Sequence, residues 1–259
     1  EIGTIQPIKQ ISALAKKHGA LMHADAVQAL GKIPVNVKEL GVDMASFASH
    51  KIYGPKGVGA LYVKKGVKIE PTLRGGHQER LVRPGTENLA GIVGFGKAAE
   101  MAAEDVESGK NERIREMRDR LQGLLLEKIP HCRLNGAPEG RVPNTLNISF
   151  MFVEGEGMTL ALDAMGIAIS TGSACSSGTL DPSHVLLAIG VPVDVAHGSL
   201  RFSLGFANTM EDMDYTAACV AKVVGRLRDM SPLWEDFISG KTTTYTDKHG
   251  HSHDLGDAE

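Results

Sequence analysis

The 259-residue chain contains no apolar run approaching the ~18 residues that cross a bilayer, and no charged-then-apolar stretch opens it. A membrane span and a secretory leader are therefore not expected, and the chain reads as cytoplasmic. It also lacks a basic excess, with 28 Lys and Arg against 31 Asp and Glu and a formal net charge of -3. The positive face that nucleic acid or anionic lipid would require is missing, which disfavours both partners. Cysteine is scarce: Cys132, Cys175 and Cys219 lie far apart with no C-x-x-C. Neither a disulfide framework nor a zinc pair is suggested, and at least one thiol is free. No internal repeat is visible. An initiator Met is absent too, and the chain runs from Glu1 through Ile5, Pro7 and Ile8 straight into a helical pattern. An N-terminal truncation, a split gene or a partial reading frame is expected.

What is present is an ordinary globular composition, 42% hydrophobic and 23% charged, able to bury a substantial core. From Pro7 to Lys17, Ile8, Ile11, Leu14 and Ala15 recur at helical spacing, with Pro7 suited to the first turn. The apolar run from Ala20 to Ala24 then delivers Asp25, as a buried parallel strand delivers a polar residue at its C-terminal end. A second such unit follows: a short helix near Val37–Leu40, then a strand from Val42 to Phe47 leading to Ser49, His50 and Lys51. A third strand is predicted over Gly57–Val63. This alternation predicts an α/β sheet whose ligands sit beyond the strand C-termini. Residues 72–87 read as a functional loop rather than a linker, and helices are predicted over about Asn88–Asp105 and Asn111–Lys128. The second of these gathers Ile114, Met117, Leu121, Leu124 and Leu125 on one face. Strands at Thr145–Phe150, Ile167–Ser170 and Ser199–Leu204, with helices near 157–165 and 211–229, form a smaller α+β unit. The polar, aperiodic stretch 240–259 is predicted to be a disordered tail.

Most lysines are solvated surface charges, but Lys51 follows His50 at a strand end and precedes Gly54-Pro55-Lys56-Gly57, a turn that lets backbone approach a ligand. A lysine that forms a Schiff base needs such a shielded strand-end position. Asp25, at the end of the preceding strand, has the bland reading of a helix cap. Paired with Lys51 it becomes the carboxylate that keeps a pyridine nitrogen protonated, and Gln28 lies three residues on. Cys175 sits in STGSACSSGTLDPSH, a run of small polar residues suited to an exposed, swinging thiol, whereas Cys219 and Cys132 suit buried structural roles.

The segments HADAVQ (23–28), SHKIYGPKGVGALYV (49–63), RGGHQERLVRPGTEN (74–88) and SACSSG (173–178) resemble the cysteine desulfurases of the NifS/IscS family, in the family's order, from Glu1 to about Trp234. The resemblance implies a fold type I aminotransferase-like α/β architecture, homodimeric, with pyridoxal 5'-phosphate as cofactor. It implies Lys51 as the Schiff-base lysine, Asp25 as the pyridine-nitrogen partner, Gln28 as the phenolic-oxygen ligand and His50 beside the cofactor phosphate. Thr86 resembles the residue that reaches the phosphate from the neighbouring subunit, Arg201 the clamp on the substrate α-carboxylate, and Cys175 the nucleophile that takes the sulfur of L-cysteine as a persulfide. An iron-sulfur cluster scaffold or another sulfur-acceptor protein is the implied partner, docking near SPLW (231–234).

The sequence departs from the family at Ala48, where a hydroxyl-bearing phosphate ligand is usual; Ser49, one residue later, is the candidate substitute. The family's N-terminal segment, with its ring-stacking histidine and phosphate-binding turn, is not in this chain, so the polypeptide alone is expected to be inactive or poorly folded. The resulting division is residues 1–107 as the C-terminal part of the cofactor domain, 108–239 as a small domain with a catalytic loop at about 171–181, and 240–259 as the tail. His249, His251 and His253 could bind a divalent cation, though a solvated tail is the simpler reading and no metal site is expected. Two other functions stay open: a selenocysteine lyase, and a fragment serving only dimerisation or docking.

Overall fold

The computed structural model describes residues 1–171 and 182–241, with the backbone of 244–246 and 252–254. It divides into two compact units, Gln6–Asn111 and Glu1–Ile5 with Glu112–Glu259. The boundary expected after residue 107 falls four residues later, and the first five residues join the second unit.

In the first unit, α1 (Ile8–Lys17) leads to β1 (His23–Asp25), α2 (Val37–Leu40) to β2 (Met44–Ala48), and β3 (Gly59–Val63) completes the sheet in the order β1-β2-β3. β1 and β2 are parallel, while β3 runs antiparallel to β2. β1 is pinned at its start by Asp43, which accepts hydrogen bonds from the Met22 N–H at 3.0 Å and from Lys64 Nζ at 3.3 Å. One sheet face buries Ala24 and Ala45, with Val42, Ile8 and Leu40 packed around them. α1 forms where the spacing predicts, but only part of its predicted stripe, Ile8 and Ala15, is drawn inward, while Ile11 and Leu14 are exposed. Ser12 is its buried residue, whereas Leu14 is 58% exposed. Ser12 faces the C-terminal cap of α2, where an added Cβ at Gly41 would lie 3.6 Å from Ser12 Cβ, an ordinary van der Waals contact. α3 (Leu89–Glu107) begins at Asn88, whose side chain accepts from the Gly91 N–H. Ala98 and Ala102 of α3 pack on Ile52, just beyond β2.

The second unit contains α4 (Asn111–Lys128), β4 (Cys132–Leu134), β5 (Thr145–Phe150), α5 (Gly155–Asp163), β6 (Ser170–Thr171), α6 (His184–Ala188), α7 (Val193–His197), β7 (Ser199–Ser203), α8 (Met210–Asp229) and α9 (Pro232–Ile238). Its antiparallel sheet has the order β4-β5-β7-β6. The strands alternate cleanly: Leu146, Ile148, Phe150, Leu200 and Phe202 face a core with Ile114, Met117, Leu121 and Leu125 of α4. The predicted apolar face of α4 is thus the packed one. β6 is shorter than the predicted Ile167–Ser170, and α6, α7 and α9 were not anticipated, although Ser183, Pro192 and Pro232 supply ordinary start signals. Within the expected tail, β8 (Thr244–Thr246) pairs antiparallel with β9 (Ser252–Asp254), so these six residues depart from the disorder predicted there.

α8 opens with a reciprocal cap: the Asp212 N–H donates to Thr209 Oγ1 at 3.2 Å and the Thr209 N–H to Asp212 Oδ2 at 2.9 Å. Because α8 carries Met213, Ala217, Val220 and Val224 into the core, Thr209→Ala is expected to lower stability by about 1 kcal/mol. Denaturant unfolding checks this through a lower midpoint at unchanged slope.

Candidate active site

The site residues of the first unit collect at the C-terminal ends of its two parallel strands. His23 and Asp25 lie on the sheet face opposite the buried Ala24, and both are exposed. Asp25 is the last residue of β1 and pairs with Ser46 on β2. Its Oδ1 accepts from the Val27 N–H at 2.9 Å, which fixes the carboxylate through one of its oxygens. Gln28 is exposed in the turn that follows. Five residues beyond Ser46, Lys51 occupies a single 3-10 turn, Ser49–Ile52, that continues directly from β2. Ile52 is buried under α3, while His50 and Lys51 are exposed on the other side of the turn, so the shielding expected at Lys51 is not supplied by the described residues. The alternation of inward Ser49 and Ile52 with outward His50 and Lys51 is what presents the lysine. Tyr53 ends the turn in the left-handed region at φ 64°.

Ser49 does not share that exposure. It is fully buried, its Oγ lies where an added Gly54 Cβ would come within 2.1 Å, and its hydroxyl has no hydrogen-bond partner among the described residues. In this conformation its hydroxyl points inward, against Gly54, instead of standing with His50 and Lys51. Thr86 is exposed in the segment before the Asn88 cap. The loop that precedes it contains three consecutive non-glycine residues in the left-handed region, Glu79, Arg80 and Leu81, at φ 46°, 56° and 68°. Each costs about 1–2 kcal/mol, and strain of this kind gathers at functional sites. The Gly/Arg-rich composition hinted at function there, but not at this turn.

Arg201 belongs to the second unit, in the middle of β7, on the sheet face opposite the apolar core. That face carries a buried polar seam which the sequence reading missed. Asn135 Nδ2 donates to Asn147 Oδ1 at 2.7 Å and to Ser149 Oγ at 2.8 Å. Asn147 pairs across the ladder with Arg201, whose Nη2 donates to Ser170 Oγ at 3.0 Å. Arg201 Nε and Asn147 Nδ2 are buried without a partner among the described residues. Buried donors left unpaired are costly, and a carboxylate is the acceptor a guanidinium best satisfies. The signal in sequence was the alternation of Asn147 and Ser149 with Leu146 and Ile148. Cys175 lies outside the described residues. Of the other thiols, Cys132 donates to the Ile129 carbonyl at 2.9 Å, and burial pushes its pKa up to about 11. That makes it a poor nucleophile near neutral pH, in keeping with the structural role expected of it.

The strand-end group fits pyridoxal phosphate: a carboxylate with one oxygen committed to backbone, an amide and a lysine all stand open at neighbouring strand ends. Among the described residues no group of three His, Cys, Asp or Glu is arranged to hold a metal ion, and no helix is long and apolar enough to cross a membrane.

Comparison with known proteins bears on the family and the fold. The family model for aminotransferase class-V matches residues 1–216. A cysteine desulfurase IscS of Clostridium botulinum is 52% identical over 243 residues, covering 93% of this chain and 61% of the relative. Among solved structures, a NifS-like protein from Rickettsia africae superposes with a TM-score of 0.79 at 33% identity, covering 86% of this chain and 59% of that one. SspA in complex with cysteine gives a TM-score of 0.63 at 32% identity, covering 79% of this chain and 56% of that one. The chain thus spans about three fifths of the length of the relatives it matches. A fold type I aminotransferase-like architecture and a family match over most of its residues place this chain in the aminotransferase class-V family.

Proposed function

We propose that the chain is the larger part of a pyridoxal-phosphate-dependent cysteine desulfurase, which converts L-cysteine to L-alanine and leaves the sulfur as a persulfide on Cys175. The observation that carries this is the placement of Asp25 at the end of β1, paired with Ser46 of β2, and of Lys51 in the turn that continues directly from β2, with one Asp25 oxygen fixed by the Val27 N–H. The cysteine-bound SspA structure supports the substrate class.

When bound, the cofactor supplies an electron sink for the bonds at the substrate Cα. Asp25 would hold the proton on the ring nitrogen and Gln28 would donate to the phenolic oxygen. His50 would serve the phosphate, as would Thr86 for a second copy of the chain, and Ser49 would join only if its hydroxyl turned outward. Lys51 carries the cofactor and moves the proton at Cα. Arg201 takes the α-carboxylate on its planar fork of donors. The Cys175 sulfur attacks the substrate sulfur: the substrate C–S bond breaks, an S–S bond forms, and the carbon takes a proton to become the alanine methyl group. The persulfide then passes to an acceptor protein such as an iron-sulfur scaffold, in the cytoplasm. Gln6–Asn111 is the remainder of the cofactor domain and Glu112 onward the small domain.

With L-cysteine and a reductant, the holoenzyme is expected to release alanine and sulfide in equal amounts, and Cys175→Ser to lose sulfide release while keeping its cofactor. Sulfide release at the parental rate from Cys175→Ser would rule out the nucleophile assignment.

A further inference from the structure

Lys32 stands apart from the roles above. It is 8% exposed, on a turn after Gln28, and its Nζ lies 5.1 Å from the centroid of the Tyr53 ring. Burial lowers its pKa, with Asp105 acting in the opposite direction. The turn that delivers it is rigidly seated. Asn111 Nδ2 donates to the carbonyls of Gly31 and Lys32 at 3.1 and 3.2 Å. Gly31 has φ 70°, and a Cβ there would come within 2.9 Å of both Ile52 Cγ2 and Ala102 Cβ. Thus the Gly31-Lys32 turn packs directly on Ile52, the residue after Lys51.

Tyr53 is the residue that needs support. It ends the turn bearing Lys51 at φ 64° and ψ 15°, a conformation that glycine takes freely and tyrosine takes at a cost. A lysine cation over an aromatic face is attracted by the ring quadrupole, with a strength of the same order as that cost and greater for a cation shielded from water. The Tyr53 N–H donates to the Ser49 carbonyl, and the Gly54 N–H to the same oxygen at 3.1 Å, so the conformation of Tyr53 sets how the whole Ser49–Ile52 turn closes.

We infer that Lys32 is a positioning residue for Lys51: its ammonium, held over the Tyr53 ring, keeps Tyr53 left-handed and thereby holds the turn that presents Lys51 to the cofactor. This rests on the role proposed for Lys51. The test is made on the holoenzyme by borohydride reduction, peptide mapping of the pyridoxyl label, and titration of pyridoxal phosphate affinity, none of which requires turnover. Lys32→Met and Tyr53→Leu should each weaken cofactor affinity about fivefold and lower the label on Lys51, while Lys32→Arg keeps both near parental values. The decisive variant is Lys32→Met combined with Tyr53→Gly. Glycine needs no cation to stay left-handed, so labelling of Lys51 should recover. Parental affinity and labelling in Lys32→Met would overturn the inference, as would a double variant no better than Lys32→Met alone. A parental label on a lysine other than Lys51 would instead overturn the reading of Lys51 itself.

Discussion

Lys51→Ala is expected to abolish cysteine turnover, by at least ~10³-fold, because proton transfer by a positioned base contributes about 10²–10⁴ and the anchoring of the cofactor is lost with it. The fold should hardly notice. Lys51 is exposed, on the outward side of a turn whose inward residue, Ile52, does the packing under α3. Truncating an exposed side chain away from special features shifts stability by no more than about 0.5 kcal/mol. A variant with parental unfolding behaviour, no covalently held cofactor and no alanine release is the expected combination. Cofactor-dependent turnover surviving in Lys51→Ala would move the base to another residue.

Replacement of Arg201 by Leu should raise KM for L-cysteine on the order of 10²-fold, since truncating one partner of a buried charge pair costs about 2–5 kcal/mol. The loss should be specific to the carboxylate. Cysteamine, which has the thiol and amine but no carboxylate, should compete equally well against Arg201→Leu and the parent. Lysine is not expected to rescue. Arg201 Nη2 is already tied to Ser170 and its Nε has no partner among the described residues, so the role needs a planar fork with several donors, which a lysine ammonium does not offer. An unchanged KM in Arg201→Leu would remove this residue from the substrate subsite.

The parts of this arrangement that were legible in sequence are those fixed by local pattern. Asp25 and Lys51 could be placed at strand ends because apolar runs lead directly into them, and α4 could be oriented because its apolar residues share one face of the helix. α1 shows the limit: its apolar spacing gives the helix, yet Ser12 is its buried residue and Leu14 of the stripe is exposed. Ser49 shows another. Its place beside His50 suggested a phosphate ligand, yet the turn alternates inward and outward, and Ser49 falls on the inward side. The polar seam of Asn135, Asn147, Ser149 and Arg201 assembles residues 66 positions apart at its extremes, and depends on strand register that no single segment encodes. The support of Tyr53 by Lys32 is equally non-local, since a lone lysine and tyrosine 21 positions apart show no pattern in sequence.

The central claim, that sulfur leaves L-cysteine for Cys175, is tested most directly by mass spectrometry of the holoenzyme after L-cysteine is added without reductant. One extra sulfur on the peptide containing Cys175, matched by the alanine formed, is the predicted result. Alanine formation with Cys175 unmodified, or with the sulfur on Cys132 or Cys219, would contradict it.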